Sequence, residues 1–125
     1  MIVMDSSGWL EIIGDGPRAD AFAEALLRSE RVIVPTIVVR EVYRAVEVAT
    51  GRREADQTAR YLARFDVVPL DFDTAVAAAR LGKDLKLALA DSIIYATAQR
   101  VGAEVVTGDN DFAALPDVHF IPVEQ

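Results

Sequence analysis

Apolar positions along this chain fall into two alternating patterns: short continuous runs, and longer stretches in which they recur every three or four residues. Ile2-Val3-Met4 is a run of strand length that stops at Asp5, and Ser6-Ser7-Gly8 then supplies helix-start chemistry. Gly14-Asp15-Gly16-Pro17 breaks the pattern, and Pro17 is placed to open a helix with Phe22, Ala25, Leu26 and Leu27 at helical spacing. Arg31–Val34 predicts a second strand ended by Pro35. Thr36 is the expected cap of a long helix reaching Thr50, striped by Val38, Val42, Ala45, Val46 and Ala49 and stopped by Gly51.

The second half repeats the alternation. Glu54–Arg64 predicts a helix through Ala55, Ala59 and Leu62, and Asp66–Leu70 a third strand. Asp71 or Asp73 caps a helix that runs through Ala75, Val76, Ala79 and Arg80 to Leu85. After Leu87–Ala90, Asp91-Ser92 opens a helix with Ile94, Ala98 and Val101 inward and Gly102 as its stop. Glu104–Thr107 and Val118–Ile121 read as fourth and fifth strands. Short apolar strands separated by helices predict an α/β protein, a three-layer α/β/α sandwich around a mostly parallel sheet of four to five strands. With 125 residues and no repeat, low-complexity tract or linker, the chain reads as one domain, 1–125.

In such folds ligands bind outside the carboxyl ends of the strands, which turns attention to the acids found there. Asp5 directly follows the first strand and Asp109 lies just past Thr107, so both are expected at one edge of the sheet, where two carboxylates resemble a cation site. Glu41 sits early in the Thr36 helix among Ile37, Val38, Val39 and Val42, an apolar setting for an acid. Asp91 stands where an apolar tetrapeptide hands over to a helix. Each also has a plainer reading. Asp5 and Asp91 suit helix caps, Glu41 suits an exposed helical position, and Asp109 and Asp111 suit turn positions in Gly108-Asp109-Asn110-Asp111.

Composition narrows the chemistry. The sequence has no cysteine, which excludes disulfides, zinc–thiolate sites and thiol nucleophiles and leaves oxygen ligands to carry any metal chemistry. Its single histidine, His119, lies in an expected strand and reads as structural, so general acid–base catalysis by imidazole is poorly served. No Gly-x-Ser-x-Gly elbow supports a serine hydrolase. No apolar stretch has the length of a membrane span and none resembles a signal peptide, giving a cytoplasmic expectation with no membrane partner. A net charge of −7 opposes nucleic-acid binding through a broad basic face, an objection that weakens where acids gather around a divalent cation.

Four segments, in order, resemble the PIN-domain ribonucleases and in particular the VapC-type toxins of type II toxin–antitoxin pairs: Ile2–Ser7, Pro35–Val42, Leu89–Ala98 and Val105–Phe112. The resemblance spans essentially the whole chain. It implies that Asp5, Glu41, Asp91 and an acid of the Thr107–Phe112 segment gather round one or two Mg²⁺ or Mn²⁺ ions. Asp109 is the preferred fourth ligand, with Asp111 as auxiliary or substitute, and Ser6 or Thr107 as a supporting hydroxyl. It also implies an RNA substrate, a homodimer, and a VapB-like antitoxin that assembles with it into a heterotetramer or larger complex and offers an Arg or Lys to the acids. Arg40, beside Glu41, with Arg44, Arg52, Arg53, Arg60, Lys83 and Lys86, is a candidate guide for RNA, although a solvated helix position is the plainer reading of each. Two other functions compete. A phosphoacceptor receiver domain shares the length and architecture but expects paired acids after the first strand and a Lys near the last strand, and no Lys follows residue 86. A non-catalytic PIN scaffold is opposed by acids at all four positions.

Overall fold

A computed structural model describes residues 1–123. Five strands form one parallel sheet: β1 (Ile2–Met4), β2 (Val32–Pro35), β3 (Asp66–Val68), β4 (Glu104–Thr107) and β5 (Val118–Phe120), in the order β3-β2-β1-β4-β5. Burial follows that order. The three central strands bury almost every residue, with Val3, Met4, Ile33, Val34, Val105 and Val106 at 0% exposure, so they read as continuous apolar runs. β3 and β5 are the edges and carry mixed patterns.

Helices α1 (Ser6–Ile13) and α2 (Ala19–Arg28) join β1 to β2, and α3 (Thr36–Thr50) and α4 (Arg52–Leu62) join β2 to β3. Helices α5 (Phe72–Asp84) and α6 (Leu89–Val101) return the chain across the sheet to β4. Right-handed crossovers place α1 to α4 over one face and α5 with α6 over the other, and the packing agrees: α1 meets α2 and α3, α3 meets α4, and α5 meets α6. The result is the expected three-layer α/β/α sandwich, with every pairing parallel among the described residues.

Several element boundaries differ from the sequence reading, each for a local reason. Pro35 belongs to β2, paired with Val68, and is itself the extended residue before α3; Thr36 is the first helical residue and makes no side-chain cap. Pro17 precedes the helix it was expected to open, since α2 begins at Ala19. Helix α4 starts at Arg52, because Gly51 at φ 106° both ends α3 and starts α4. Helix α6 starts at Leu89 rather than at Asp91-Ser92, with extended Ala88 before it. Asp71, not Asp73, caps α5 by accepting the Thr74 N–H at 2.8 Å. Strands β3 and β5 end at Val68 and Phe120, short of the expected Leu70 and Ile121.

Candidate metal centre

The chain runs β1, β2, β3 in one direction from the middle of the sheet, then returns to lay β4 against the other side of β1. That reversal leaves a crevice at the carboxyl ends of β1 and β4, the usual ligand position of an open α/β sheet. Register decides what meets there. Met4 pairs with Val106 and the Asp5 N–H donates to the Val106 carbonyl at 3.2 Å, so Asp5 and Thr107 leave the sheet side by side.

Asp5 is only 3% exposed. Its Oδ1 accepts from Ser7 Oγ at 2.6 Å and from the Gly8 N–H at 3.3 Å, the second being the cap of α1. Its Oδ2 accepts from Thr107 Oγ1 at 2.6 Å. A carboxylate offers about four lone-pair positions, so three donors leave it one acceptor direction for a further ligand. Burial pushes the Asp5 carboxyl above the ordinary aspartate value, and the hydrogen bonds from Ser7, Thr107 and Gly8 pull the other way. Asp5 therefore caps α1, as the plainer reading expects, and the cap leaves its second oxygen to Thr107 at the β4 exit.

Asp91 lies in the first turn of α6, where its carboxylate caps nothing. It is half-buried, and burial lifts its pKa to about 6, with Asp109, Asp5, Asp111 and Glu41 adding like-charge repulsion. Asp109 precedes a single 3₁₀ turn, Asn110–Phe112, which it caps by accepting the Asp111 N–H at 2.9 Å. That turn was absent from the sequence reading, and it swings Asp111 back toward the crevice. Carboxylate oxygens of Asp91, Asp109 and Asp111 lie within 4.8 Å of one another.

Glu41 is half-buried on α3, where its Oε1 accepts from Ser6 Oγ at 3.2 Å, and it lies near enough to Asp91 to add like-charge repulsion there. The expected residues thus divide. The structure draws Asp91, Asp109 and Asp111 into one triad and sets Asp5 and Glu41 beside it, each held by a hydroxyl of α1 or β4. Arg40 is exposed on a different side of α3, along a hollow with Thr36, Val39, Tyr43 and Arg44. His119 is exposed in the edge strand β5 beside β4, in a hollow that includes Glu104 and Asp117 at the strands' amino ends, away from the carboxyl-end crevice.

Sequence reasoning missed Ser7. Its Oγ donates to Asp5 and accepts the Gly108 N–H at 3.0 Å, tying the β1 and β4 exits together. The available signal was its place two residues after a capping acid, where a hydroxyl turns back toward the cap. Among the described residues, none of the five acids is ion-paired with a basic side chain. A set of hard oxygen donors without cationic partners fits Mg²⁺ or Mn²⁺.

Fold and site together define an acid-cluster α/β protein, suited to hold a divalent cation through oxygen ligands alone. A family model for the PIN domain matches residues 2–118, and the chain belongs to the PIN-domain family. Among solved structures, a toxin–antitoxin complex from Klebsiella pneumoniae is similar at 24% identity over 98% of this chain and 100% of the other, with a TM-score of 0.85. VapC20 of Mycobacterium tuberculosis, described as a sarcin–ricin-loop-cleaving toxin, is 18% identical over 100% of both chains, with a TM-score of 0.78. FitAcB of Neisseria gonorrhoeae is 26% identical over 98% of both, with a TM-score of 0.74. No curated protein matches the chain. Membership of the PIN family removes the phosphoacceptor alternative.

Proposed function

We propose that this chain is a divalent-metal-dependent endoribonuclease of the VapC toxin type, working as a single domain in the cytoplasm and restrained by a VapB-like antitoxin. The observation that carries the reading is the carboxylate triad of Asp91, Asp109 and Asp111 at the β1–β4 crevice, without a basic partner among the described residues. Asp5, Glu41, Asp91 and Asp109 are the assigned ligands of one or two Mg²⁺ or Mn²⁺ ions, and Asp111 is an auxiliary ligand. The toxin role is supported by the family and by the toxin–antitoxin proteins among its structural neighbours.

A bound divalent cation supplies Lewis acidity and charge neutralisation for phosphodiester hydrolysis. The chain's own groups prepare the place for it. Ser7 and Thr107 orient the Asp5 carboxylate, and Ser6 steadies Glu41. Burial and the neighbouring carboxylates lift the Asp91 pKa to about 6, so below that pH a proton competes with a cation for this carboxyl, and cation binding there would strengthen as pH rises through about 6. RNA is the proposed substrate, and a homodimer that joins the antitoxin in a heterotetramer or larger complex is the proposed assembly.

The test is RNA cleavage by purified protein with Mn²⁺ or Mg²⁺ and with EDTA, comparing wild type with Asp5→Asn and Asp91→Asn. Cleavage should require the metal and be lost in both variants. Cleavage in EDTA, or undiminished cleavage by either variant, overturns the assignment.

A further inference from the structure

Asp109 stands on a surface turn, yet its carboxylate must sit at a fixed separation from Asp91 to share a ligand. The peptide joining Gly108 to Asp109 is held at both ends. Its N–H, that of Asp109, donates to Thr107 Oγ1 at 2.9 Å, and its carbonyl, that of Gly108, accepts from Arg18 Nη1 at 3.3 Å. Because the peptide unit is planar, fixing both ends sets the direction in which the Asp109 Cα leaves it.

Arg18 is itself fixed. The same Nη1 donates to the Ile121 carbonyl at 3.0 Å, Nε donates to Glu11 Oε1 at 3.4 Å, and the Arg18 N–H donates to that oxygen at 2.9 Å. Its guanidinium carbon lies 5.7 Å from the centre of the Phe22 ring, and the Arg18 and Glu11 side chains are only 16% and 18% exposed. Two glycines complete the fit. A Cβ at Gly108 would overlap Arg18 Nη1, and one at Gly16 would come 2.7 Å from the Glu11 carboxyl carbon. An arginine with these bonds links α1, the chain before α2, the exit of β5 and the turn that bears Asp109, and an exposed salt bridge needs none of them.

We infer that Arg18, clamped by Glu11, is a positioning residue for the Asp109 carboxylate. It touches neither metal nor substrate, and the inference rests on the metal-site reading above. Two measurements test it: Mn²⁺ affinity by calorimetry, and hydrogen exchange at the Gly108 and Asp109 amides without metal. Arg18→Met keeps the apolar stem over Phe22, and should weaken Mn²⁺ binding roughly 10- to 100-fold, as loss of an outer support for a metal ligand does. The Asp109 amide should lose protection while β1 and β4 amides keep theirs. Gly108→Ala expels the guanidinium and should reproduce this, and the double variant should be no weaker than either single one. Arg18→Lys, which keeps the charge and one donor, should fall between wild type and Arg18→Met, and covers the case in which the methionine variant does not fold. Mn²⁺ affinity within about twofold of wild type in Arg18→Met, with the Asp109 amide still protected, overturns the inference. Wild type that takes up no Mn²⁺ overturns the metal reading, and the role of Arg18 falls with it.

Discussion

Asp91 works against the stability of the protein that carries it. Its pKa of about 6 in the folded chain exceeds the ordinary 3.8, so the folded state holds this proton more tightly than the unfolded state. The stabilisation is full below pH 3.8 and is lost as pH rises through about 6. Metal-free protein should therefore lose stability at this site between pH 4 and pH 7, and Mn²⁺ should raise the melting temperature more at pH 7 than at pH 5. Thermal scans at the two pH values check this, and a larger Mn²⁺ shift at pH 5 contradicts it. Asp91→Asn should stabilise metal-free protein at pH 7 by about 1 kcal/mol, by removing a half-buried charge and, secondarily, its repulsion from the neighbouring acids, both reduced by solvent screening, and should abolish the Mn²⁺ shift. Thr107 presents the opposite case. It is fully buried and bridges Asp5 Oδ2 to the Asp109 N–H, so Thr107→Val strands two polar groups. Urea denaturation should show a loss of about 1–3 kcal/mol, with Thr107→Ser restoring most of it. Of the site, Asp5 drew attention because it directly follows an apolar strand, and Asp109 because it lies two residues past the end of another. Asp91 stood out at a helix start and in a longer family motif, whereas Glu41 leaned more on the resemblance, since its apolar neighbours mark an unusual acid without saying what it faces. The tie from Ser7 to Gly108 and those from Arg18 to Gly108 and Ile121 were illegible: the partners are 101, 90 and 103 residues away, and the β1–β4 and β4–β5 registers bring them close.

Elements deliver these residues, and their legibility tracks how strongly burial constrains them. β1, β2 and β4 were readable because both of their faces are covered, whereas the edge strands β3 and β5 came out too long, having fewer buried positions to mark their ends. Helix α6 was begun two residues late. Its Leu89 is exposed and its Ala90 half-buried, so the apolar character of Leu87–Ala90 concealed the first turn. That shift is consequential: it moves Asp91 from a capping position, where its oxygens would bond backbone N–H groups, into a turn where they are free for the crevice. Deeper in α6, Ala96 is fully buried against Ala78 and Ile93 at the contact with α5. Ala96→Leu should overpack this contact, lowering stability by about 1–3 kcal/mol in urea denaturation. It should also weaken Mn²⁺ binding, because α6 carries Asp91. At the far end of α3, Gly51 adopts φ 106° and ψ 172°, and a Cβ there would meet nothing within 4 Å. Gly51→Ala should thus show the backbone penalty alone, about 1–3 kcal/mol, with RNA cleavage by the folded protein unchanged.

For the whole molecule, the difficulty is that a protein of net charge −7 is proposed to bind a polyanion. Five of the acids face one crevice, so the unfavourable field is strongest where the scissile phosphate has to lie. Arg40 and Arg44 lie along a separate hollow on α3, and Arg18, the arginine that reaches the turn bearing Asp109, is engaged with Glu11 and two carbonyls. These three arginines are therefore poorly placed to offset that field, and divalent ions at the acids would reverse it. Binding of RNA should then depend on metal before any bond is cut. Fluorescence anisotropy of a short labelled RNA should report affinity at least about tenfold tighter, 1.4 kcal/mol, with Ca²⁺ or Mn²⁺ than with EDTA. Asp91→Asn should lose most of that gain, while charge removal at distant Glu24 should leave it intact. Equal affinity in EDTA and in Ca²⁺ would place RNA recognition on a surface other than the acid crevice.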